Sequence, residues 1–424
     1  MTINLFPPEE LIEDAAIALP LSKSLSTRTL ILDALTEHPE NNDGSIAACD
    51  DTAVITAALE AYAKAKPGEA LTLDMQASGA ALRFLTAFFA AQEGADVTLR
   101  GIARLCERPM GVLIDALRAC GADIECPEGE GHAPLHIRGH RLAGGDLNID
   151  ASVSSQFISA LLMVAPAMDG GLTLRFDSEP VSLPYILMTV GLMERRGISI
   201  DREPLSVTVH PGLYLPYAQA PEGDWSAAAF WMEITAVSAG WYTMTNLKAD
   251  TLQGDSHAAE FFERLGVNCT EAEDGQGIEL APSPEVFGRL DLDLTDYPDL
   301  APALVVTASL IGVPFKLTGL HSLVVKECNR LEALAEEMQK LGRNVTTIRD
   351  FGLEWDGTGH PVTEMPVMDA HGDHRMAMAL APVCYFAPGI ALSGAETVSK
   401  SYPEYWDQLR ELGFSLEETK ATEE

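Results

Sequence analysis

The chain has 424 residues, 47% of them hydrophobic, with 34 Gly and 25 Pro spread along it; this bounds it to a globular protein of two or three domains and excludes a low-complexity chain. Its 28 basic residues face 63 acidic ones, a net charge of −35, so nucleic acid and anionic membranes are excluded as partners by repulsion. The seven cysteines are scattered and contain no Cys-x-x-Cys pair, which argues against a disulfide framework and a structural zinc site, and for a reducing, cytoplasmic setting.

The N-terminal Met1–Leu5 has no basic n-region or signal core, and no apolar run approaches the ~18 residues of a membrane span. After Pro20 comes Leu21-Ser22-Lys23-Ser24-Leu25-Ser26-Thr27-Arg28, followed by Leu30, Ile31, Ala34 and Leu35 at the spacing of one apolar helix face. The first turn of that helix carries Lys23, Ser24 and Arg28. It is either a solvated basic turn or a seat for phosphate, since free N–H groups, a hydroxyl, an ammonium and a guanidinium gather there.

Further constellations of the same kind follow. Ala77-Ser78-Gly79-Ala80 precedes the apolar run from Phe84, and Gly79 allows a backbone to approach an anion closely. Glu107-Arg108-Pro109 leads into a helix through Val112, Leu113, Ala116 and Leu117. Val153-Ser154-Ser155-Gln156 opens a helix from Ile158, where the hydroxyls cap the helix, bind phosphate, or do both. Ser182-Leu183-Pro184-Tyr185 precedes another helix. Pro216 to Asp224 is the clearest break at mid-chain, so residues 21–221 read as a domain inserted into one made of 1–20 and 222–424.

In the second half, Tyr297-Pro298-Asp299 starts a helix through Leu300, Leu304, Val305 and Ala308; Asp299 there is either a complement to the helix dipole or a general base. Val325-Lys326-Glu327-Cys328-Asn329-Arg330 reads as one helical turn with Lys326 and Arg330 on a shared face. Gly372-Asp373-His374-Arg375 and Ser399-Lys400-Ser401-Tyr402-Pro403 again set polar residues ahead of helices. None of the ten histidines shows metal-ligand spacing, so no metal is expected. Helix endings of one type recur at Gly121, Gly197, Gly266, Gly342 and Gly413, about 70–76 residues apart with one slightly shorter step, as in a repeated helix–strand unit. The fold class is therefore α/β or α+β with several sheets.

With these motifs in order from Lys23 to Lys400, the chain resembles the 5-enolpyruvylshikimate-3-phosphate (EPSP) synthase family. The resemblance implies a two-domain inside-out α/β barrel fold, each domain of three repeated βαβαββ units, closing over its substrates. It implies transfer of an enolpyruvyl group from phosphoenolpyruvate to shikimate 3-phosphate by a monomer without metal or organic cofactor. Carried over position by position, Lys23, Ser24, Arg28, Ser154, Ser155, Gln156, Ser182, Tyr185, Asp299, Ser322 and Lys326 are expected to bind shikimate 3-phosphate. Lys23, Gly79, Arg108, Gln156, Arg330, Arg375 and Lys400 are expected to bind phosphoenolpyruvate, with Asp299, Glu327 and Lys23 catalytic. Four positions depart from the family pattern: Ala77 and Ala80 replace an Asn and a Thr, Leu21 a Gly, and Ser322 an Asn. Two rival readings follow. One is the related UDP-N-acetylglucosamine enolpyruvyl transferase, whose reactive cysteine lies further ahead of Arg-Pro than Cys106 does; the other is a non-catalytic anion binder.

Overall fold

The computed structural model describes every residue except 11–13, 38–44, 274, 276, 350 and 420–424. The chain divides into two compact units, Met1–Leu21 with Glu222–Glu424, and Ser22–Pro221. An antiparallel bridge between Leu21 and Gly223, with Asp224 N donating to Pro20 O at 3.0 Å, holds the two crossing points of the chain together. The first unit opens with β1 (Thr2–Phe6) and β2 (Ala15–Ile17) before the chain leaves it.

The second unit contains α1 (Lys23–Ala34) and α2 (Asp50–Lys64), then β3 (Ala70–Asp74), α3 (Gly79–Ala90), β4 (Asp96–Arg100), α4 (Ala103–Cys106), α5 (Gly111–Ala119), β5 (Asp123–Glu125) and β6 (Leu135–Arg138). A second round follows: β7 (Gly145–Ile149), α6 (Ser155–Val164), β8 (Leu172–Phe176), α7 (Leu183–Glu194), β9 (Ile200–Glu203) and β10 (Ser206–Val209). Back in the first unit come α8 (Trp225–Ser238), β11 (Tyr242–Met244), α9 (Ala258–Glu263), β12 (Leu265–Glu271) and β13 (Ile278–Val286). Next are β14 (Leu290–Asp293), α10 (Ala301–Ile311), β15 (Phe315–Thr318), α11 (Arg330–Lys340), β16 (Thr346–Thr347) and β17 (Leu353–Trp355). Last come β18 (Val367–Asp369), α12 (His374–Leu380), β19 (Ile390–Ser393), α13 (Tyr405–Glu411) and β20 (Ser415–Thr419).

These elements form five four-stranded sheets of one design, in the orders β3-β4-β6-β5, β7-β8-β10-β9, β2-β11-β13-β12, β14-β15-β17-β16 and β18-β19-β1-β20. In each, the first pair is parallel and the next two are antiparallel. A parallel pair requires a crossover, supplied by a helix, and an antiparallel pair is closed by a short turn. The βαβαββ unit is therefore repeated, with β1 closing the last copy and the inserted unit interrupting another after β2. A sixth sheet is not found among the described residues of Ser22–Pro221; α1 and α2 hold the helical places of that copy.

The helices lie inside and the sheets outside, for a compositional reason. Every residue of α3 and α12 is buried, as are all of α6 but Gln156 and all of α10 but Ile311. A helix apolar all round has to be enclosed. The strands alternate instead, as in β8 and β19, so their sheets cover the helices with one face. Around Trp231, Tyr402 and Tyr405 the first unit packs interlocking rings, and Trp231 Nε1 donates to Tyr402 Oη at 3.0 Å. Burying each such side chain contributes about 1.5–3 kcal/mol.

Two local expectations differ from the structure. In α1 the buried residues are Leu25, Ser26, Thr27, Arg28, Thr29, Ile31 and Leu32, whereas Ala34 is exposed. Its inward side is part polar, with Arg28 turned into the unit and hydrogen-bonded there. Four of the repeated glycines follow helices in left-handed conformation, but Gly266 (φ +86°) sits in β12, where the register with β13 shifts.

Candidate active site

In the Ser22–Pro221 unit the predicted residues gather at helix starts. Lys23 is the first residue of α1, and its Nζ lies 3.4 Å from Asp51 Oδ2 in the first turn of α2. Arg28, one turn further on, is buried and bonds four neutral oxygens: Thr189 Oγ1 from Nε (2.7 Å), Ser24 O from Nη1 (2.9 Å), and Ser159 Oγ and Tyr185 O from Nη2 (both 3.2 Å). It also stands over the Phe84 ring at 5.3 Å. Burial lowers the Arg28 pKa to about 10, against a smaller opposing effect of Tyr185.

Ser154 caps α6, its Oγ accepting from Gln156 N at 3.3 Å, and Ser155 is the buried first residue of that helix. Capping is thus one use of this hydroxyl pair, without exhausting its acceptors. Gln156 Oε1 accepts from Arg83 Nη1 at 3.0 Å. Arg83 and Arg108 converge at the start of α3: a methyl placed on Gly79 would collide with Arg83 Nη1 and stand 2.8 Å from Arg108 Nη1. Two guanidinium groups so close repel each other, and an anion between them would relieve that repulsion. Ser182 precedes α7 in a left-handed conformation (φ +54°) without capping it. Its backbone oxygen accepts from Tyr185 N at 3.1 Å, which brings these two predicted residues together.

The other unit holds a tighter cluster. Asp299 lies in the 3₁₀ turn Pro298–Leu300 ahead of α10. Its Oδ1 faces Arg330 Nη1 (2.9 Å) and Lys326 Nζ (3.3 Å), and its Oδ2 faces Arg375 Nη2 (3.2 Å). Glu327 reaches Lys400 Nζ at 2.5 Å through Oε1 and Arg330 Nη2 at 3.3 Å through Oε2. Arg330 is in turn held by Asp373, with Nε to Oδ2 at 2.6 Å and Nη2 to Oδ1 at 3.1 Å. Burial alone would raise the Asp299 pKa, but Arg375, Lys326 and Arg330 together hold it well below the usual carboxylate range. Burial would likewise lower Arg330, yet Asp373, Asp299 and Glu327 raise it well above its ordinary value.

Lys326 and Arg330 do not share a helical face. Lys326 follows the 3₁₀ segment His321–Val325 with extended backbone (ψ −155°), and the α-helix starts only at Arg330. The two meet because the intervening turn folds both cations onto one Asp299 oxygen. Ser322 lies in the same 3₁₀ segment, and no hydrogen bond from it to the cluster is found among the described residues. Cys106 ends α4, with its Sγ 3.4 Å from Gly101 O.

The residues of these clusters absent from the set expected from sequence include Arg83 and Asp373. Arg83 sits in the run Ala77–Arg83 but four residues past Gly79, so it reads as part of the helix body. Asp373 reads only as one of the polar residues ahead of a helix; in the structure it N-caps α12, accepting from Arg375 N at 2.9 Å. Only folding shows that the same carboxylate also grips Arg330. Among the described residues one group has metal-ligand geometry, Glu336, Glu337 and His371, but the Lys340 ammonium already sits 2.8 Å from Glu337 Oε1. No helix among the described residues is long and apolar enough to cross a membrane.

A family model described as EPSP synthase (3-phosphoshikimate 1-carboxyvinyltransferase) matches residues 13–409. A Bacteroides fragilis protein named 3-phosphoshikimate 1-carboxyvinyltransferase is 42% identical over 404 residues, covering 95% of this chain and 96% of its own. One of the same name from Methanospirillum hungatei is 32% identical over 418 residues, covering 93% and 94%. The solved EPSP synthase of Acinetobacter baumannii superimposes with a TM-score of 0.77 at 20% identity, covering 99% of this chain and all of that one.

Proposed function

The chain belongs to the EPSP synthase family, and from that premise we propose how its residues perform the family's reaction, transfer of the enolpyruvyl group of phosphoenolpyruvate to the 5-hydroxyl of shikimate 3-phosphate. The observation that carries the reading is the Asp299 carboxylate ringed by Lys326, Arg330 and Arg375, with Glu327 beside it on Arg330 and Lys400.

In the Ser22–Pro221 unit, Lys23, Ser24, Arg28, Ser154, Ser155, Ser182 and Tyr185 bind shikimate 3-phosphate, with Gln156 serving both substrates. Gly79 and Arg108, joined by Arg83, bind the phosphoenolpyruvate phosphate. In the other unit, Lys326 and Ser322 serve shikimate 3-phosphate, Arg330 and Arg375 the phosphoenolpyruvate carboxylate, and Lys400 its phosphate. The chain works as a monomer in the reducing cytoplasm, without metal or organic cofactor.

Asp299 accepts the proton of the 5-hydroxyl as that oxygen bonds to C2 of phosphoenolpyruvate, while Glu327, assisted by Lys23, protonates C3. Glu327 then removes a proton from the new methyl group as the C2–O bond to phosphate breaks, restoring the double bond and releasing phosphate. A carboxylate held so acidic is a weak base. A substrate carboxylate that draws Arg330 and Arg375 away from Asp299 raises its basicity when the hydroxyl needs it.

The test is phosphate release by purified protein given both substrates. Asp299→Ala and Glu327→Gln are each expected to slow it at least about a hundredfold. Near-normal rates in both variants would remove the assigned roles. No release, with calorimetric binding of shikimate 3-phosphate, would make the chain a non-catalytic binder.

A further inference from the structure

Arg28 and Arg330 are both buried arginines, and the chain treats them in opposite ways. Arg330 is surrounded by the carboxylates of Asp373, Asp299 and Glu327. Arg28 has no carboxylate within ion-pair distance among the described residues, although the chain carries 63 acidic residues. A buried cation is ordinarily paired, because taking a charge out of water is costly. Here the hydrogen-bonding shell among the described residues is neutral, two side-chain hydroxyls and two backbone carbonyls, with the Phe84 ring beside them.

The hydroxyls belong to Ser159 in the middle of α6 and Thr189 in the middle of α7. Thr189 Oγ1 accepts Arg28 Nε at 2.7 Å, the shortest bond the guanidinium makes. Its own proton is directed to Ser159 Oγ (2.9 Å) or to Tyr185 O (3.1 Å). Ser159 Oγ accepts Arg28 Nη2 at 3.2 Å. A guanidinium has five N–H donors in a rigid fork. The four bonds to Thr189, Ser24, Ser159 and Tyr185 use four of them, so the plane and rotation of the head are fixed while its charge stays uncompensated.

We propose that Thr189 and Ser159 are positioning residues: by holding Arg28 through hydroxyls in place of carboxylates, they keep an oriented, unneutralised cation for an anionic substrate, shikimate 3-phosphate. The proposal rests on the reading that Arg28 binds that substrate. A carboxylate at either place would fix the head equally well but supply the negative charge that the ligand is to bring.

Steady-state kinetics of Thr189→Val, Thr189→Ser, Ser159→Ala and Arg28→Gln test it, with thermal melting to establish that each variant is folded. Thr189→Val is expected to raise KM for shikimate 3-phosphate about tenfold, the loss of one oriented charge-assisted hydrogen bond. It should leave kcat and KM for phosphoenolpyruvate within about twofold, and Thr189→Ser should restore most of the affinity. Ser159→Ala is expected to act in the same direction by a smaller factor and stands in if Thr189→Val does not fold. If Arg28→Gln raises KM for shikimate 3-phosphate while neither hydroxyl variant does, the positioning role is wrong. If Arg28→Gln itself leaves that KM unchanged, the underlying assignment of Arg28 fails instead. A fall in kcat with unchanged KM in the hydroxyl variants would also overturn the proposal.

Discussion

Asp373 Oδ2 accepts Arg330 Nε at 2.6 Å, and both side chains are buried. The other oxygen of Asp373 takes Arg330 Nη2 at 3.1 Å and Arg375 N at 2.9 Å, so one carboxylate fixes one arginine by its head and another by its backbone. Replacing it by Asn keeps an acceptor for the α12 cap but removes the charge beneath Arg330. Asp373→Asn is expected to lower stability by on the order of 3 kcal/mol, as for a broken buried pair. It should also lower kcat/KM for phosphoenolpyruvate at least about tenfold. Denaturant titration and steady-state kinetics read both, and a variant normal in both would show that Arg330 needs no such anchor.

The ring of cations around Asp299 makes a prediction about acid. A carboxyl whose pKa is depressed on folding contributes stability that is fully present above its unfolded value, about 3.9, and is lost as pH falls through the folded value. Arg375 is the first of the three cations opposing burial at Asp299. In Arg375→Gln the Asp299 pKa should rise, so this contribution is lost at higher pH than in the parent chain. Melting temperatures recorded between about pH 2 and pH 6 check this. An acid limb that does not move would mean that Lys326 and Arg330 alone suffice.

Gly79 is confined by arginine head groups, with no backbone atom among its nearest neighbours. A methyl there meets only the ends of flexible side chains, so Gly79→Ala should fold with a near-normal Tm. Arg83 and Arg108 have to move aside, and KM for phosphoenolpyruvate is expected to rise about tenfold or more, with a smaller change for shikimate 3-phosphate. Equal changes for both substrates would argue against a phosphate seat at α3.

Glu233 is fully buried in α8, and burial raises its pKa well above normal, with only slight relief from Thr307. Such a group is protonated in the folded chain over pH values where the unfolded chain ionises, so folding stability falls as pH rises from about 4.3 toward the folded pKa. Glu233→Gln removes that slope. It is expected to match the parent chain near pH 4 and to melt at a higher temperature at pH 7–8. Parallel melting curves across pH would sink the idea.

Much of the machinery was legible in the chain by itself, because each constellation is local. Ser154-Ser155-Gln156 and Gly372-Asp373-His374-Arg375 announce helix starts by capping chemistry that operates within a few residues. The recurring helix-ending glycines mark the repeated unit, since a left-handed residue is a local requirement. Apolar content all round α3 and α10 is likewise written in consecutive residues, and it is why helices lie inside the sheets. What tertiary structure decided is which charges meet. Lys326 and Arg330 share Asp299 through a turn rather than a helix face, Asp373 serves two arginines, and Arg83 joins Gln156 to Gly79 and Arg108. Arg28 goes further, since its neutral shell comes from α1, α6 and α7, spanning up to 161 positions of sequence. No periodicity encodes such a pairing, because the energy of a buried charge depends on distance in space and on the water excluded around it.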